Sequence, residues 1–148
     1  MARGVQKNVM PMTEPAPSIY FAYGVNLNRN HMGLWCPNSS PLEPAVLPDH
    51  RLVFRFWADM LPAPGHQVPG ALYRLGENDL KWLDEYEDCP RLYEHVTVHV
   101  VTARHHRVEA MTYRMKPAHP FAPPAGEYLA AVRQGYIDWG HDPADLPG

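Results

Sequence analysis

The most informative stretch for the fold of this chain is Tyr20-Phe21-Ala22-Tyr23-Gly24-Val25-Asn26-Leu27. The aromatic-rich run from Ser18 to Tyr23 is typical of a β-strand, and Gly24 ends it before a short polar helix that continues through His31. Successive backbone N–H groups between a glycine and a helix N-terminus form a concave donor site that suits a carboxylate or a developing oxyanion. Strand–glycine–helix joints are common and most are structural. The stretch lacks the GxxxxGK[ST] pattern, so it is not a phosphate loop.

Beyond this stretch, the sequence predicts four further strands and two longer helices. The strands are predicted at Arg51 to Trp57, Val68 to Leu75, Tyr93 to Thr102 and Val108 to Met115, and the helices at Glu77 to Glu87 and Gly126 to Tyr136. Proline-rich connections, including a loop at Pro62 to Gly65, are predicted between them. About five mostly antiparallel strands with two or three helices favour an α+β domain, built as a curled sheet or a small β-barrel flanked by helices.

The length of 148 residues fits a single domain. The first 17 residues contain three prolines and no hydrophobic periodicity, so we expect residues 1–17 to be a flexible N-terminal leader and residues 18–148 to form the domain. The chain has 17 prolines in all, which excludes a helix bundle or a coiled coil because proline breaks helix interiors.

The charge balance is mildly acidic, with 13 Lys and Arg against 16 Asp and Glu and a formal net charge of −3. We therefore expect a small-molecule ligand and no nucleic-acid or membrane partner. We expect the chain to be a monomer or a homodimer. No apolar run is long enough for a membrane span and no signal peptide is evident, so we expect a cytoplasmic location. Cys36 and Cys89 form no CxxC pair and are predicted to be reduced thiols.

The most informative single position is Glu87. At ~100° per residue, with Leu80 set at zero, Glu87 falls near about 340° on the helical wheel, beside Leu83 on the apolar face. Glu85 falls near about 140°, among the polar residues. An acid at a helix end is usually surface charge, but a carboxyl on the buried face has its pKa raised. A glutamate with a raised pKa is what a general base near neutral pH requires.

Histidine and cysteine constellations are weaker candidates. His95 and His99 share a strand face but lie roughly 13 Å apart at ~3.3 Å per residue, too far to share one ion. His105 and His106 fall in a predicted hairpin tip, where solvated histidines are usual. Cys89 could be a nucleophile, but nothing in the sequence places a base beside it. The aromatic side chains of Trp57, Tyr73, Trp82 and Tyr86 are interpreted as core residues.

The combination of motifs resembles one known family. Tyr20-Phe21-Ala22-Tyr23-Gly24-Val25-Asn26-Leu27, then Val68-Pro69-Gly70-Ala71-Leu72-Tyr73-Arg74-Leu75, then Leu83-Asp84-Glu85-Tyr86-Glu87 and a β-run from Tyr93 occur in the order and spacing of the γ-glutamylcyclotransferase-like family. The resemblance extends from about Ser18 to Tyr136. It implies a small β-barrel flanked by helices with a pocket at one mouth, and cleavage of γ-glutamyl amides to 5-oxoproline and a free amine.

The resemblance also implies roles for particular residues. Glu87 matches the catalytic glutamate, and a substrate-cradling loop is matched by Tyr23, Gly24, Val25, Asn26 and Leu27. Tyr93 and Tyr113 match pocket tyrosines. Val25 stands where the family usually has serine, so the loop keeps its backbone donors and loses one hydroxyl. The implied chemistry requires no cofactor and no metal.

Two hypotheses remain at this stage. The first is a γ-glutamyl cyclotransferase-type enzyme with Glu87 as general acid and base. The second is a catalytically inactive domain on the same fold that binds a small ligand or another protein. A costly inward-facing acid favours the enzyme, whereas Val25 keeps the second hypothesis open.

Overall fold

The computed structural model describes residues 18–116 and 119–147, so the predicted leader at residues 1–17 lies outside the described residues. The strands are β1 (Ile19–Ala22), β2 (Ser40–Arg55), β3 (Trp57–Arg74), β4 (Tyr93–Thr102) and β5 (Arg107–Met115). The helices are α1 (Arg29–Trp35), α2 (Asp79–Glu87) and α3 (Gly126–Asp138), with single 3₁₀ turns at Val25–Leu27 and Pro143–Asp145.

The five strands form a closed barrel in the spatial order β1-β3-β2-β4-β5. Every neighbouring pair is antiparallel except β1 and β5, which meet in parallel where Tyr20 pairs with Met111. Closure removes the exposed sheet edges that a five-stranded open sheet would leave. The predicted α+β fold with a small, mostly antiparallel barrel is confirmed.

The long hairpin of β2 and β3 differs from the sequence prediction. The residues before Arg51 and the predicted loop at Pro62 to Gly65 lie inside these two strands. The register shifts between Pro41 and Glu43 and again between Pro48 and His50. Bulges at these two places interrupt the ladder of backbone hydrogen bonds next to prolines, which have no N–H to donate. Proline composition alone therefore gave a wrong loop prediction here.

Strand β1 separates two parts of the core. Phe21 points into the barrel and is fully buried. Tyr20 and Ala22 point to the opposite side, where they pack in a cluster with Met32 of α1 and Leu83 of α2. The backbone of Gly70 lies so close to Phe21 that an added Cβ would be 2.5 Å from its ring, so only glycine allows this approach of β1 and β3.

Two helices hold the turn that follows β1. Asn28 caps α1 by accepting a hydrogen bond from the His31 N–H at 3.0 Å. Gly135 brings α3 against the 3₁₀ turn, since a Cβ there would lie 2.8 Å from the carbonyl carbon of Leu27. The indole N–H of Trp139 donates to the Leu27 carbonyl at 2.9 Å. The turn is therefore fixed from both sides.

The helix bounds differ slightly from the predictions. Helix α2 begins at Asp79 and not at Glu77, because the Asp79 carboxylate accepts a hydrogen bond from the Gly76 N–H and closes the preceding turn. Helix α3 continues two residues past Tyr136. Within residues 18–116 and 119–147, no helix combines the length and apolar character needed to cross a membrane.

Candidate active site

A pocket with an inner and an outer chamber opens at one mouth of the barrel. The inner chamber has a volume of about 20 Å³, room for about one water molecule. Strand ends, the 3₁₀ turn, α2 and α3 all contribute to it, and its lining residues are Tyr20, Tyr23, Gly24, Val25, Asn26, Ala58, Glu87, Tyr93, Thr112, Tyr113 and Tyr128. All of the predicted site residues except Leu27 therefore meet in one place.

The outer chamber is larger and more apolar. Its volume is about 260 Å³, and its lining residues are Val25, Trp57, Tyr86, Glu87, Leu92, Tyr93 and Tyr128. Glu87 belongs to both chambers and so stands at their junction. Trp57 is 40% exposed and forms part of this mouth, so its interpretation as a core residue is wrong.

The turn after β1 lines the inner chamber with Gly24, Val25 and Asn26. The Leu27 N–H donates to the Gly24 carbonyl at 3.0 Å, and the Leu27 side chain is fully buried in the core. Leu27 therefore closes the turn and offers no donor to a ligand. Among the described residues, the Asn26 N–H meets no acceptor, which leaves it available to a bound group.

Glu87 occupies the last position of α2 and faces the turn. Its Oε2 accepts a hydrogen bond from the Asn26 side-chain amide at 3.1 Å. Burial raises the pKa of the Glu87 carboxyl from its ordinary value to about 8. Glu85, two residues earlier, is exposed, so the predicted helical register is confirmed. At neutral pH the Glu87 carboxyl can both accept and donate a proton.

Asn26 is the centre of a small polar network. It is almost fully buried, and its amide nitrogen donates both to Glu87 and to the Tyr20 hydroxyl, each at 3.1 Å. Its amide oxygen lies 3.1 Å from Nδ1 of His31, which must donate because a carbonyl oxygen can only accept. Burial lowers the pKa of the His31 imidazole. A neutral His31 thus fixes the direction in which Asn26 points its donor.

Three tyrosine hydroxyls of the inner chamber, those of Tyr23, Tyr93 and Tyr113, donate hydrogen bonds to acceptors within the protein. Tyr93 donates to the Ala58 carbonyl at 2.6 Å, and Tyr23 donates to the Tyr113 carbonyl at 2.7 Å. Tyr113 donates to Oδ1 of Asp84 at 2.5 Å. Burial, with a smaller contribution from the Glu87 charge, raises the pKa of Tyr93 well above its ordinary value. These tyrosines shape the wall as neutral side chains and do not act as bases.

Several pocket residues were not singled out from the sequence. The Tyr128 hydroxyl of α3 accepts a hydrogen bond from the Ala58 N–H at 3.1 Å and lies beside the Val25 N–H. In the sequence, Tyr20 is recognisable only as part of a strand, and Thr112 and Ala58 carry no signal of a binding site. Tyr128 shares one face of its helix with the buried Val132 and Tyr136, and a polar tip on that apolar face is the one sequence signal that could have indicated it.

The fold and the pocket together define an α+β protein with an inward-facing acid at the mouth of a five-stranded barrel. Residues 20–132 match the family model described as gamma-glutamyl cyclotransferase, AIG2-like. The chain belongs to this family.

Known relatives agree with this assignment. A gamma-glutamylaminecyclotransferase of Mus musculus is 41% identical over 44 residues, which cover 30% of this chain and 30% of that relative. The chain thus aligns with less than a third of that protein's length. The gamma-glutamylcyclotransferase of Homo sapiens is 28% identical over 130 residues, covering 79% of this chain and 69% of the relative. A solved structure described as gamma-glutamyl cyclotransferase is 25% identical with a TM-score of 0.78, covering 84% of this chain and 81% of that chain.

Proposed function

We propose that this protein is a γ-glutamyl cyclotransferase-type enzyme that converts a γ-glutamyl amide into 5-oxoproline and a free amine. One observation carries the proposal: the Glu87 carboxyl, with its pKa raised to about 8, lies in the same chamber as Val25 and Asn26, and among the described residues the Asn26 N–H meets no acceptor. A proton carrier and an oxyanion donor in one chamber are the two groups that this cyclisation requires.

The reaction begins with transfer of a proton from the substrate's α-ammonium group to the Glu87 carboxylate. The freed α-amine nitrogen attacks the γ-carbonyl carbon and closes a five-membered ring, a type of intramolecular attack whose effective molarity reaches ~10⁵–10⁸ M. The N–H of Asn26 holds the developing oxyanion. The tetrahedral intermediate then collapses as Glu87 returns its proton to the leaving nitrogen, which breaks the amide bond. The new ring nitrogen still carries one proton too many, and the Glu87 carboxylate takes this proton and passes it to the freed amine, which departs as an ammonium ion. Every proton that Glu87 takes is given back, so no cofactor is consumed.

The two chambers suggest how a substrate is divided between them. The inner chamber holds little more than a water molecule, so the γ-carbonyl oxygen enters it while the rest of the glutamyl group lies at the junction beside Glu87. The leaving amine then extends into the outer chamber, against Trp57, Tyr86 and Leu92. None of the described residues that line this chamber is cationic. The lining therefore favours an apolar leaving amine over an amino acid with a free carboxylate.

A panel of substrates tests the proposal. Release of 5-oxoproline is measured from γ-glutamyl alkylamines, from γ-glutamyl amino acids and from glutathione. We expect turnover of at least one of them, with a higher kcat/KM for the alkylamines. Failure to release 5-oxoproline from the whole panel would remove the enzymatic proposal.

A second candidate is the inactive domain, which Val25 and the small inner chamber favour. Val25 stands where the family usually has serine, and this residue lines both chambers. Calorimetric titration with a γ-glutamyl amide separates the two candidates. Saturable binding without product indicates a binding domain, whereas binding with release of 5-oxoproline indicates the enzyme.

A further inference from the structure

Three side chains with metal-binding atoms converge next to the pocket, on the far side of Tyr113. They are Asp84 of α2, Cys89 just after its end, and His95 of β4. A carboxylate oxygen, the thiol sulfur and an imidazole nitrogen from these residues all lie within 4.8 Å of one another. No pattern in the sequence joins Cys89 to His95, because only the turn between α2 and β4 brings them together.

The donor set has the composition of a zinc site. Zinc binds thiolate at ~2.3 Å and imidazole or carboxylate at ~2.0–2.2 Å, almost always in a tetrahedron. Neighbouring donor atoms of such a tetrahedron are roughly 3.3–3.8 Å apart. The Asp84 and His95 donors are now closer, at 2.6 Å, because Nε2 of His95 and Oδ1 of Asp84 pair directly. Small rotations of two side chains would therefore admit an ion between them.

The surroundings allow a cation to enter. The side chains of Asp84 and His95 are 31% and 37% exposed, so an ion reaches them without opening the core. The Asp84 carboxylate lies within 4.8 Å of the Cys89 thiol and supplies a negative charge to an ion bound there.

We propose that Asp84, Cys89 and His95 form a binding site for one zinc ion, with the fourth ligand position left to water. Binding forms three bonds, from the Asp84 oxygen, the Cys89 sulfur and the Nε2 atom of His95. The thiol proton of Cys89 leaves to solvent, and neutral His95 moves its proton from Nε2 to Nδ1. A three-ligand site of this kind is an accessible and exchangeable one.

The site is coupled to the pocket through one hydrogen bond. Oδ1 of Asp84 accepts from the Tyr113 hydroxyl as well as from His95. An ion on Asp84 competes for that oxygen and releases the Tyr113 hydroxyl from the position in which it helps to form the inner chamber. Zinc is then an inhibitor and not a cofactor. This inhibition rests on the proposed function, whereas zinc binding itself does not.

Titration of the whole protein with Co²⁺ tests the binding. Co²⁺ takes the ligands of zinc and absorbs light, with a charge-transfer band when a thiolate is bound. We expect this band to saturate at one Co²⁺ per chain and to disappear when Zn²⁺ is added. Cys36, the other cysteine, is fully buried, so the band reports on Cys89.

Two variants and a matched control test whether Cys89 and His95 are ligands. Cys89→Ser should abolish the thiolate band. His95→Gln should weaken Co²⁺ binding by at least about tenfold, because the loss of a residue that only hydrogen-bonds to a metal ligand already weakens binding by ~10–100-fold. His99→Gln, exposed on the same strand, is the matched control and should bind like the parent. A band that survives in Cys89→Ser, or equal binding by the two histidine variants, would overturn the proposal.

The activity arm has a separate outcome. If the protein releases 5-oxoproline, added Zn²⁺ should lower the rate, and Cys89→Ser should lose this sensitivity relative to its own zinc-free rate. A protein that binds Co²⁺ through Cys89 but has no turnover would overturn the proposed function and leave the metal site standing. Turnover without a thiolate band would overturn the metal site and leave the proposed function standing.

Discussion

The side-chain amide of Asn26 donates a hydrogen bond to Oε2 of Glu87 at 3.1 Å, although the two residues are 61 positions apart in the chain. The bond ties the turn after the first strand to the end of α2. Because the Asn26 amide oxygen is held by Nδ1 of His31, the amide cannot rotate without losing a second hydrogen bond. The donor therefore favours the charged form of a carboxyl whose burial favours the neutral form.

Asn26→Asp should shift the pH dependence of turnover to higher pH. The change replaces the donor by a second carboxyl at nearly the same place, and like charges at this distance raise the pKa of the pair by at least about one unit. The rate at pH 7 should fall by about tenfold or more, with partial recovery at pH 9. Asn38→Asp, at an exposed asparagine, is the control and should keep the parent profile. An unchanged profile in Asn26→Asp would show that this hydrogen bond does not tune Glu87.

Glu87→Gln should lower turnover by at least about 10², the lower end of the effect of a general base. The amide keeps the shape of the side chain but cannot take the proton of the α-ammonium group. Glu85→Gln is the matched control, since Glu85 lies on the same helix and is exposed. Steady-state release of 5-oxoproline from the best substrate of the panel measures both variants. A slow Glu85→Gln beside a normal Glu87→Gln would assign the chemistry to the other face of α2.

Glu87→Gln should also change how stability depends on pH. The folded-state pKa of Glu87 is about 8, above its ordinary value of 4.5, so the folded protein holds this proton through a pH range in which the unfolded chain has lost it. Stability from this group is fully present below about pH 4.5 and is lost as the pH rises towards 8. The variant should therefore gain free energy of unfolding relative to the parent between pH 5 and pH 8, by at least about 1 kcal/mol.

Denaturant unfolding at several pH values measures this difference. Glu85→Gln removes an exposed charge and no buried one, so this variant should show no comparable gain in free energy of unfolding. If the difference between Glu87→Gln and the parent were the same at pH 5 and pH 8, the Glu87 carboxyl would have an ordinary pKa.

The inward direction of Glu87 could be predicted because helical periodicity alone sets it. Leu83 and Glu87 share one face of α2 and Glu85 lies on another, and no tertiary information is needed to place them. The convergence of this acid with the turn at Val25 and Asn26 could be expected only from the family resemblance. The partners that tune it, Tyr20 and His31, could not, since hydrogen bonds between distant segments leave no periodic signal.

The long hairpin could not be predicted for a different reason. Prolines such as Pro48 and Pro62 remove backbone donors, and single-strand patterns treat them as breaks. The barrel accommodates Pro48 beside a register shift and Pro62 opposite His50, and both places depend on the partner strand. Trp57 was misassigned to the core for a related reason, since it directly follows the hairpin turn at Phe56 and lies at the mouth.

Removal of metal ions should not lower the release of 5-oxoproline. The proposed reaction uses a carboxyl, a backbone donor and the substrate's own amine, and none of its steps needs a Lewis acid. Dialysis against a chelator should leave the rate unchanged or raise it where zinc was bound at Asp84 and Cys89. Loss of activity on chelation with recovery on added zinc would assign zinc a catalytic part instead.

Gly24→Val should damage turnover more than Val25→Ser. A Cβ at Gly24 would lie 3.1 Å from the Cβ of Ala58, so even the first atom of a side chain requires a shift, and the branches of valine add to it. The shift moves the turn and with it the Asn26 N–H, a donor whose loss is worth ~10²–10³ in kcat in comparable sites. Val25→Ser leaves the backbone in place and restores the residue that the family usually has. It should therefore change kcat little, with any effect in KM.

Measurement of kcat and KM for both variants, with circular dichroism to confirm that Gly24→Val still folds, tests the prediction. Equal losses in the two variants would mean that side chains, and not the backbone of the turn, bind the reacting group.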